Sequence, residues 1–394
     1  MKKTTIFALL MLFIWACRKE DAPVVVVDPP FDPFSVVSEH LNISKKAPDF
    51  SFSLPIWLKE YQPTIPANNN IIELGRVIFY DKKLSADGKI ACASCHHQEH
   101  AFADIVPLST GVNGKKTKRN SMALTNNISF GGVMGMLDTG TTLYPLFWDS
   151  RVLSIQAQSK AAFTNPLEMD ISMSKVVSTV AEQPYYPWLF ERAFGDSVVT
   201  ESRILLSIAH FLNNLHTYNS KFDRAMQAQT ANGGIPDLDA TLTGLTTEEN
   251  QGKALYVAHC NNCHSGLDNV RGIFEANNGL ESPYIDKGKN LISGHFFDIG
   301  VFRVPMLRNI AYSAPYMHDG RFTILEQVIE HYNSGVIKGY GLHGELLQLD
   351  EATQTYSAKR LNLTEAEKAA LKAFLLTLSD ESVLTDQRYA DPFK

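Results

Sequence analysis

The sequence predicts a mainly helical, all-α fold with long loops, arranged as two domains. Three observations support this prediction. The chain has 394 residues, which is more than one hydrophobic core usually organises. Apolar residues recur at helical spacing in several segments, whereas alternating strand patterns are few. The short motif C-x-x-C-H occurs twice, at residues 92–96 and 260–264.

The N-terminus has the layout of a secretory signal peptide over residues 1–17. Two lysines precede an apolar run of about ten residues, which is too short to span a bilayer. The run ends in the sequence IWAC, which resembles a lipoprotein cleavage box with Cys17 as the lipidated residue. The mature chain is therefore expected in the periplasm or at the cell surface, as a membrane-anchored lipoprotein.

Composition divides the remainder of the chain into three segments. Residues 18–46, which contain a run rich in Val and Pro, are expected to form an extended tether. Residues 47–235 form the expected N-terminal domain and residues 236–394 the C-terminal domain, whose last helix is a candidate for packing back on the first. The boundary is placed in residues 228–246 because they are rich in Gly, Asn, Asp and Thr.

Capping boxes mark two helix starts. In such a box, a Thr side chain and a Glu three residues later satisfy the first free N–H groups of a helix. Thr246 and Glu249 are expected to open a helix that runs into the second motif, and Thr364 and Glu367 a helix over EAEKAALKAFLLTL. Two further segments have apolar residues at helical spacing: 202–218 and 325–332.

Apart from Cys17, all cysteines of the chain lie in the two C-x-x-C-H motifs. Disulfides are usual in exported proteins, and a four-cysteine zinc site would use all four sulfurs. Neither explains the histidine that follows each pair. Two thioethers to haem vinyl groups and an adjacent histidine on the iron explain every residue. The sequence thus predicts two cytochrome c-like domains, each with one covalently bound c-type haem, held by Cys92, Cys95 and His96 and by Cys260, Cys263 and His264.

Several stretches around these motifs resemble the bacterial dihaem cytochrome c peroxidase family, including its MauG-like branch. The likeness runs from about residue 65 to 380, and the order and spacing of the stretches match the family. The resemblance implies that peroxide reacts at the N-terminal haem and that the C-terminal haem passes electrons to it. The stretches are CASCH followed by AFAD, RNSMALTN (119–126), FWDSR (147–151), NPLEM (165–169), CNNCHSG (260–266) and FRVPMLRNIAYSAPYMHDGRF (302–322).

The resemblance also implies an open iron in the first haem. In conventional members a second histidine caps the other face of this iron and must leave before peroxide binds. Aligning residues 109–111 and Asn120 without a gap puts that position at Val112, which cannot ligate. The alternative is a shifted loop with a ligand from elsewhere. His97 and His100 are the nearest histidines and are expected to be surface or structural groups.

Three residues match catalytic positions of the family. Glu168 matches a catalytic glutamate that moves protons while the O–O bond breaks. Gln158 falls where a distal glutamine is expected, in a motif that is only loosely kept. Trp148 matches a tryptophan between the haems that relays electrons. A lone Glu is usually a surface charge and a lone buried Trp usually core, so these roles rest on the resemblance.

The second axial ligand of the C-terminal haem separates the branches of the family. Conventional members place a methionine fourteen residues after the histidine of the HDG motif; counted from His318, that position is Tyr332. A phenolate ligand lowers the reduction potential and favours storage of oxidising equivalents. The alternatives are that Tyr332 is a core residue on a helix face and that Met317 is the ligand.

Oxygen ligands for one calcium ion are also implied. Asn120 matches a side-chain ligand, and the backbone carbonyls of Ser313 and Pro315 would supply further oxygen atoms. Arg303 and Arg308 could pair with haem propionates or form ordinary salt bridges.

The expected function is reduction of hydrogen peroxide to water, with electrons from a small cytochrome c or a cupredoxin. Two alternatives stay open: a MauG-like oxidase acting on a protein or organic substrate through a high-valent state, and a non-catalytic dihaem electron-transfer protein. The net charge of −6, with no basic stripe, argues against nucleic-acid binding. The family resemblance also allows a homodimer.

Overall fold

The computed structural model describes most of the chain after the N-terminal segment. The expected signal peptide, Cys17 and the first part of the expected tether lie outside the described residues. Within the described part, no helix is both long and apolar enough to cross a membrane. The described residues are 32–55, 57–58, 68–126, 141–231, 234, 236–264 and 273–394.

Helices dominate the regular structure, which confirms the predicted helical class. They are α1 (Pro33–His40), α2 (Asn69–Tyr80), α3 (Ile155–Thr164), α4 (Met173–Glu182), α5 (Tyr186–Phe194), α6 (Glu201–Leu212), α7 (Lys221–Thr230), α8 (Thr247–His259), α9 (Asn261–His264), α10 (Asn290–Ser293), α11 (Leu325–Glu330), α12 (Glu365–Leu376) and α13 (Ser382–Thr385). The strands among the described residues form antiparallel pairs: β1 (Thr141–Leu146) with β2 (Val152–Ser154), β3 (Glu275–Ala276) with β4 (Phe302–Arg303), and β5 (Leu347–Asp350) with β6 (Thr355–Ala358).

Both predicted capping boxes are confirmed. The Thr246 hydroxyl accepts a hydrogen bond from the Glu249 N–H at 3.2 Å, and the Glu249 carboxylate accepts one from the Thr246 N–H at 2.6 Å. The same reciprocal pair starts α12 at Thr364 and Glu367. Of the other two expected helices, only the one predicted over 202–218 is shorter than expected, and helical structure covers the whole of 325–332. α6 ends at Leu212, and α11 ends at Glu330, where a single π-helical turn continues to Gly335.

A close crossing of two helices occurs at a glycine in each half of the described chain. α2 crosses α6 at Gly75, where an added Cβ would lie 1.9 Å from the carbonyl oxygen of Ser207. α8 crosses α12 at Gly252, where a Cβ would lie 1.8 Å from the carbonyl oxygen of Ala370. Neither position has room for a side chain, because the interior is close-packed. A close helix crossing at a glycine thus precedes each C-x-x-C-H motif in the sequence.

Separate apolar clusters surround these two crossings. The first contains side chains from α2, α4, α5 and α6, and the second contains side chains from α7, α8 and α12. α7 precedes the expected boundary, yet its Phe222 and Met226 belong to the second cluster. The end of the chain returns to the first half, where Val383 and Tyr389 pack in one cluster with Phe79.

The segment expected to be an extended tether contains the helix α1. Asp32 caps this helix by accepting a hydrogen bond from the N–H of Phe34 at 3.1 Å, and a proline occupies the first helical position. Val37 is completely buried, and Phe34 packs on Trp188 with ring centroids 5.0 Å apart. This apolar contact gives the helix a face to bury, so ordered structure starts before residue 47.

Candidate active site

The two C-x-x-C-H motifs line two different cavities. Cys92, Cys95 and His96 line the first cavity, and Cys260, Cys263 and His264 line the second. The two cysteine pairs therefore cannot join in one four-cysteine zinc site. The four sulfurs form no disulfide with one another, and no group of three or more metal-binding side chains is found in the described residues.

Both motif histidines are held by a backbone carbonyl. His96 Nδ1 lies 2.8 Å from the carbonyl oxygen of Phe102, and His264 Nδ1 lies 3.0 Å from that of Pro305. Since a carbonyl only accepts, each Nδ1 carries the proton and Nε2 is the nitrogen with a lone pair for iron. Burial lowers the pKa of both rings, which favours the neutral form that binds metal. This donor set fits haem c in both cavities.

Glu168 and Gln158 line the same cavity as His96. The Asn165 side-chain amide donates a hydrogen bond to Glu168 Oε1 at 2.6 Å, which orients the carboxyl group. Burial raises the pKa of Glu168, although the Asn165 hydrogen bond and the positive charge of Arg151 act in the opposite direction. The carboxyl group is therefore shifted toward the range in which it can both accept and release a proton.

Val112 is fully buried and lies outside the wall of the first cavity. Its main-chain N–H donates to the carbonyl oxygen of Glu168 at 2.9 Å, so this loop supports the Glu168 loop. His97 and His100 also lie outside the wall, and His97 Nε2 is 3.8 Å from Asp104 Oδ1. Among the described residues in the wall, His96 is the only histidine.

A thin wall separates the two cavities. The residues that line both cavities are Asn120, Met122, Trp148 and Arg303. Trp148 Nε1 donates to the Asn120 carbonyl oxygen at 2.9 Å, and the Arg303 main-chain N–H donates to the Trp148 carbonyl oxygen at 2.8 Å. Trp148 thus lies between the two cavities. Met122 belongs to the RNSMALTN stretch, but the stretch alone does not show that this side chain reaches both cavities.

Ion pairs beside the wall join distant parts of the chain. Arg119 donates to both carboxylate oxygens of Asp286, at 2.7 and 2.8 Å, and also to Asp149 at 2.6 Å. Asp149 in turn accepts from Arg151 at 2.7 Å. Because Arg119 precedes the wall residue Asn120, these paired charges hold the wall against the segment around residue 286.

The two arginines considered for propionate binding differ in their surroundings. Arg308 is buried and pairs with Asp223, with Nη2 2.8 Å from Oδ1, so it forms an ordinary structural salt bridge. Arg303 lies in both cavity walls, and burial lowers its pKa to about 10. Its position suits an anionic group that enters either cavity.

Tyr332 and Met317 both line the second cavity, so the structure brings the two rival ligands together. Burial raises the pKa of Tyr332 to about 12 in the absence of a metal charge. His318 packs in the same region, stacked on Phe302 at 3.9 Å between centroids and edge-on to Trp148 at 6.4 Å.

The three expected calcium ligands, Asn120, Ser313 and Pro315, all line the second cavity. The Asn120 side-chain amide nitrogen donates to the carbonyl oxygens of Val106 and Pro107, at 3.2 and 3.3 Å. The amide group is therefore fixed in orientation by the loop that follows the first motif.

Comparison with known proteins identifies the family. Residues 69–231 match the model of the di-haem cytochrome c peroxidase family. The cytochrome c551 peroxidase of Nitrosomonas europaea is 31% identical over 270 residues, which cover 67% of this chain and 73% of that protein. The chain belongs to the di-haem cytochrome c peroxidase family.

Other members of the di-haem peroxidase family are similar over most of the chain. The methylamine utilization protein MauG of Methylorubrum extorquens is 29% identical over 326 residues, covering 80% of each chain. The crystal structure of a MauG-like protein associated with microbial copper homeostasis superposes with a TM-score of 0.66 and 28% identity, covering 89% of this chain and 99% of that one. Membership implies haem c cofactors and makes the chain a haem-dependent oxidoreductase.

Proposed function

We propose that this chain reduces hydrogen peroxide to water at the first cavity, with electrons supplied through the second. Haem c, when bound, supplies the redox-active iron for this reaction. The observation that carries the proposal is the pairing of His96 with Glu168 in one cavity whose described wall holds no second histidine. Peroxide would therefore meet an accessible iron face and a proton-transfer group together.

Two thioether links and one histidine would hold each haem. Cys92 and Cys95 would attach the first haem, and Cys260 and Cys263 the second. The neighbouring histidines would bind iron through Nε2, since their Nδ1 atoms hydrogen-bond with carbonyl groups. Arg303, which lines both cavities, would compensate the negative charge of haem propionates.

The first cavity has the groups needed to handle the protons of peroxide. Glu168 would accept a proton from the oxygen nearer the iron and release it to the departing oxygen. Asn165 keeps the Glu168 carboxyl group in place. Burial of this carboxyl group limits competition from water. Gln158, in the same cavity, would orient peroxide through its amide group.

Trp148 would carry electrons between the two sites, because it lines both cavities and hydrogen bonds hold both its indole N–H and its main-chain carbonyl.

A calcium ion near the wall would complete the site. The Asn120 side-chain oxygen and the carbonyl oxygens of Ser313 and Pro315 are hard donors of the type that calcium prefers. The ion would hold the wall loop against the residue 313–315 segment.

A MauG-like activity is the second candidate, in which a protein or an organic molecule is oxidised. The presence of Tyr332 in the second cavity favours it, because an anionic phenolate lowers the iron potential and slows delivery of electrons from a donor. Measuring the peroxide-dependent oxidation of a reduced small cytochrome or cupredoxin distinguishes the donor-linked peroxidase from the MauG-like oxidase. A negligible steady-state rate with both haems intact would contradict the donor-linked peroxidase.

The site proposal is tested by absorption and electron paramagnetic resonance spectra of the oxidised protein. We expect one high-spin and one low-spin haem without prior reduction. Two low-spin haems that do not react with peroxide would support the non-catalytic electron-transfer protein instead.

In the cell, we propose a periplasmic or surface location with a lipid anchor at Cys17. Labelling with a radioactive fatty acid, lost in Cys17→Ala, tests the anchor.

A further inference from the structure

Asn278 contacts both rival iron ligands of the second cavity. Its side-chain amide nitrogen donates to the sulfur of Met317 at 3.5 Å, within the range for a hydrogen bond to sulfur. Burial raises the pKa of the Tyr332 phenol, and the neighbouring Asn278 side chain acts in the opposite direction, as a donor to the phenol oxygen does. Asn278 also lines the cavity, so these contacts occur at the surface that a haem would occupy.

The main chain around Asn278 is fixed on both sides. β3 ends two residues earlier and pairs with β4 through Ala276 and Phe302. The buried side chain of Asn277 donates to the Ile299 carbonyl at 3.0 Å and accepts from the Gly279 N–H at 3.0 Å. The main chain that carries the Asn278 side chain is therefore held in place by contacts outside the cavity.

The turn that carries Tyr332 is also tied to Asn278. His331 Nε2 lies 3.1 Å from the Asn278 carbonyl oxygen, and because a carbonyl only accepts, the histidine donates. The His331 ring packs against the Tyr332 ring at 5.0 Å between centroids. This bond holds the π-helical turn, and with it the phenol, at a constant distance from the amide.

Donation from the Asn278 amide has different effects on the two rival ligands. A thioether sulfur has two lone pairs, and a hydrogen bond to one of them orients the sulfur toward the donor and makes it a weaker ligand for iron. A hydrogen bond to a phenolate stabilises its negative charge, and bonds to ionised groups are stronger than those to neutral sulfur. The contacts of one side chain thus disfavour Met317 and favour Tyr332.

We infer that Asn278 is a positioning residue that selects Tyr332 over Met317 as the second axial ligand of the C-terminal haem. This inference rests on the proposed haem site in the second cavity. It adds a residue that determines the potential of that haem, although it binds neither iron nor substrate.

The test uses the full-length holoprotein with Asn278→Leu, which keeps the approximate shape of the side chain and removes both donors. We expect the phenolate-to-iron absorption band to weaken and a methionine-to-iron band to appear. The low-spin resonance should change, and the midpoint potential of this haem should rise. Asn278→Asp, which cannot donate when ionised, should change the spectra in the same direction, and Asn278→Gln should restore part of the original spectrum.

Single variants separate failure of the inference from failure of the site. Tyr332→Phe should abolish the phenolate band in the parent protein, and Met317→Leu alone should leave it unchanged. If Tyr332→Phe has no effect, the proposed ligand is wrong. If Tyr332→Phe acts as expected but both Asn278→Leu and Asn278→Asp keep the parent spectrum and potential, selection by Asn278 is refuted. Adding Met317→Leu to Asn278→Leu should remove the new methionine band.

Discussion

The main-chain N–H of Val112 donates a hydrogen bond to the carbonyl oxygen of Glu168 at 2.9 Å. The loops approach this closely because residue 111 is glycine, where a Cβ would lie 2.1 Å from the Leu167 carbonyl oxygen. The position at which the family resemblance expects a removable histidine thus supports the proposed proton-transfer residue. One loop would both leave the iron accessible and position the carboxyl group.

Replacing Glu168 by Gln should slow the reaction with peroxide by about 10²- to 10⁴-fold, because general acid–base catalysis usually contributes that much. The resting spectrum should change little, since the amide has the same shape. Stopped-flow absorption after mixing with peroxide measures the rate. Glu182→Gln, at an exposed position at the end of α4, is the matched control. An unchanged rate in Glu168→Gln would refute the assigned role.

The pH dependence of the same step should report the raised pKa of Glu168. Only the ionised carboxylate can accept the first proton, so the rate should increase with pH through a pKa above the ordinary 4.5. Burial is the main cause of the shift, because it penalises the charged form. In Glu168→Gln this limb of the profile should disappear. If the limb persists in that variant, a different group controls the proton.

Replacing Trp148 by Phe should slow electron transfer between the two haems while both haems stay bound. The indole fills the wall between the cavities, and its N–H bond to Asn120 would be lost. Flash or stopped-flow reduction of one haem, followed by re-equilibration, measures the effect. Trp188→Phe is the control, since that indole packs on Phe34 outside both cavities. Equal rates in both variants would exclude Trp148 as the relay.

Covalent attachment predicts one haem lost per altered motif. In the double variant Cys260→Ser and Cys263→Ser, a denatured chain should retain one haem instead of two. Haem staining after denaturing electrophoresis, with pyridine haemochrome quantification, measures this. The corresponding change at Cys92 and Cys95 should remove the other haem and with it the peroxide reaction. Two retained haems in either variant would contradict thioether attachment.

Replacing Gly252 by Ala should destabilise the C-terminal half by about 1–3 kcal/mol or more, as overpacking of a close-packed contact does. The added Cβ would lie 1.8 Å from the Ala370 carbonyl oxygen, so α8 and α12 must move apart. Denaturant unfolding monitored by circular dichroism measures the change. Gly344→Ala is the control, because a Cβ there meets no atom within 4 Å. Equal midpoints in the two variants would contradict the close crossing.

The sequence predicted best the features that depend on residues close together in the chain. The capping boxes at Thr246 and Thr364 need only four consecutive residues, and each C-x-x-C-H motif only five. α1 was not predicted because its stability depends on burial of Val37 and contact with Trp188, more than a hundred residues away. α7 precedes the loop taken as the boundary, but Phe222 packs with Phe374 of the second cluster.

The arrangement of the candidate site is only partly encoded in local patterns. The family resemblance led to Glu168 and Trp148, and the structure places both on cavity walls. Asn278 belongs to no motif, and the RNSMALTN stretch gives Met122 no expected role. Only the folded chain shows that these two side chains line the cavities. The pairing of Arg308 with Asp223 likewise joins residues far apart in sequence. Arg308, one of the two arginines considered for the haem propionates, thus already has a carboxylate partner.

The two hydrogen bonds that hold Trp148 both involve main-chain atoms of its neighbours, the Asn120 carbonyl and the Arg303 N–H. Side-chain rotation at either neighbour therefore leaves the indole in place. Electron transfer through this ring would therefore need no movement of the indole itself. The rate of transfer between the haems should then be independent of solvent viscosity.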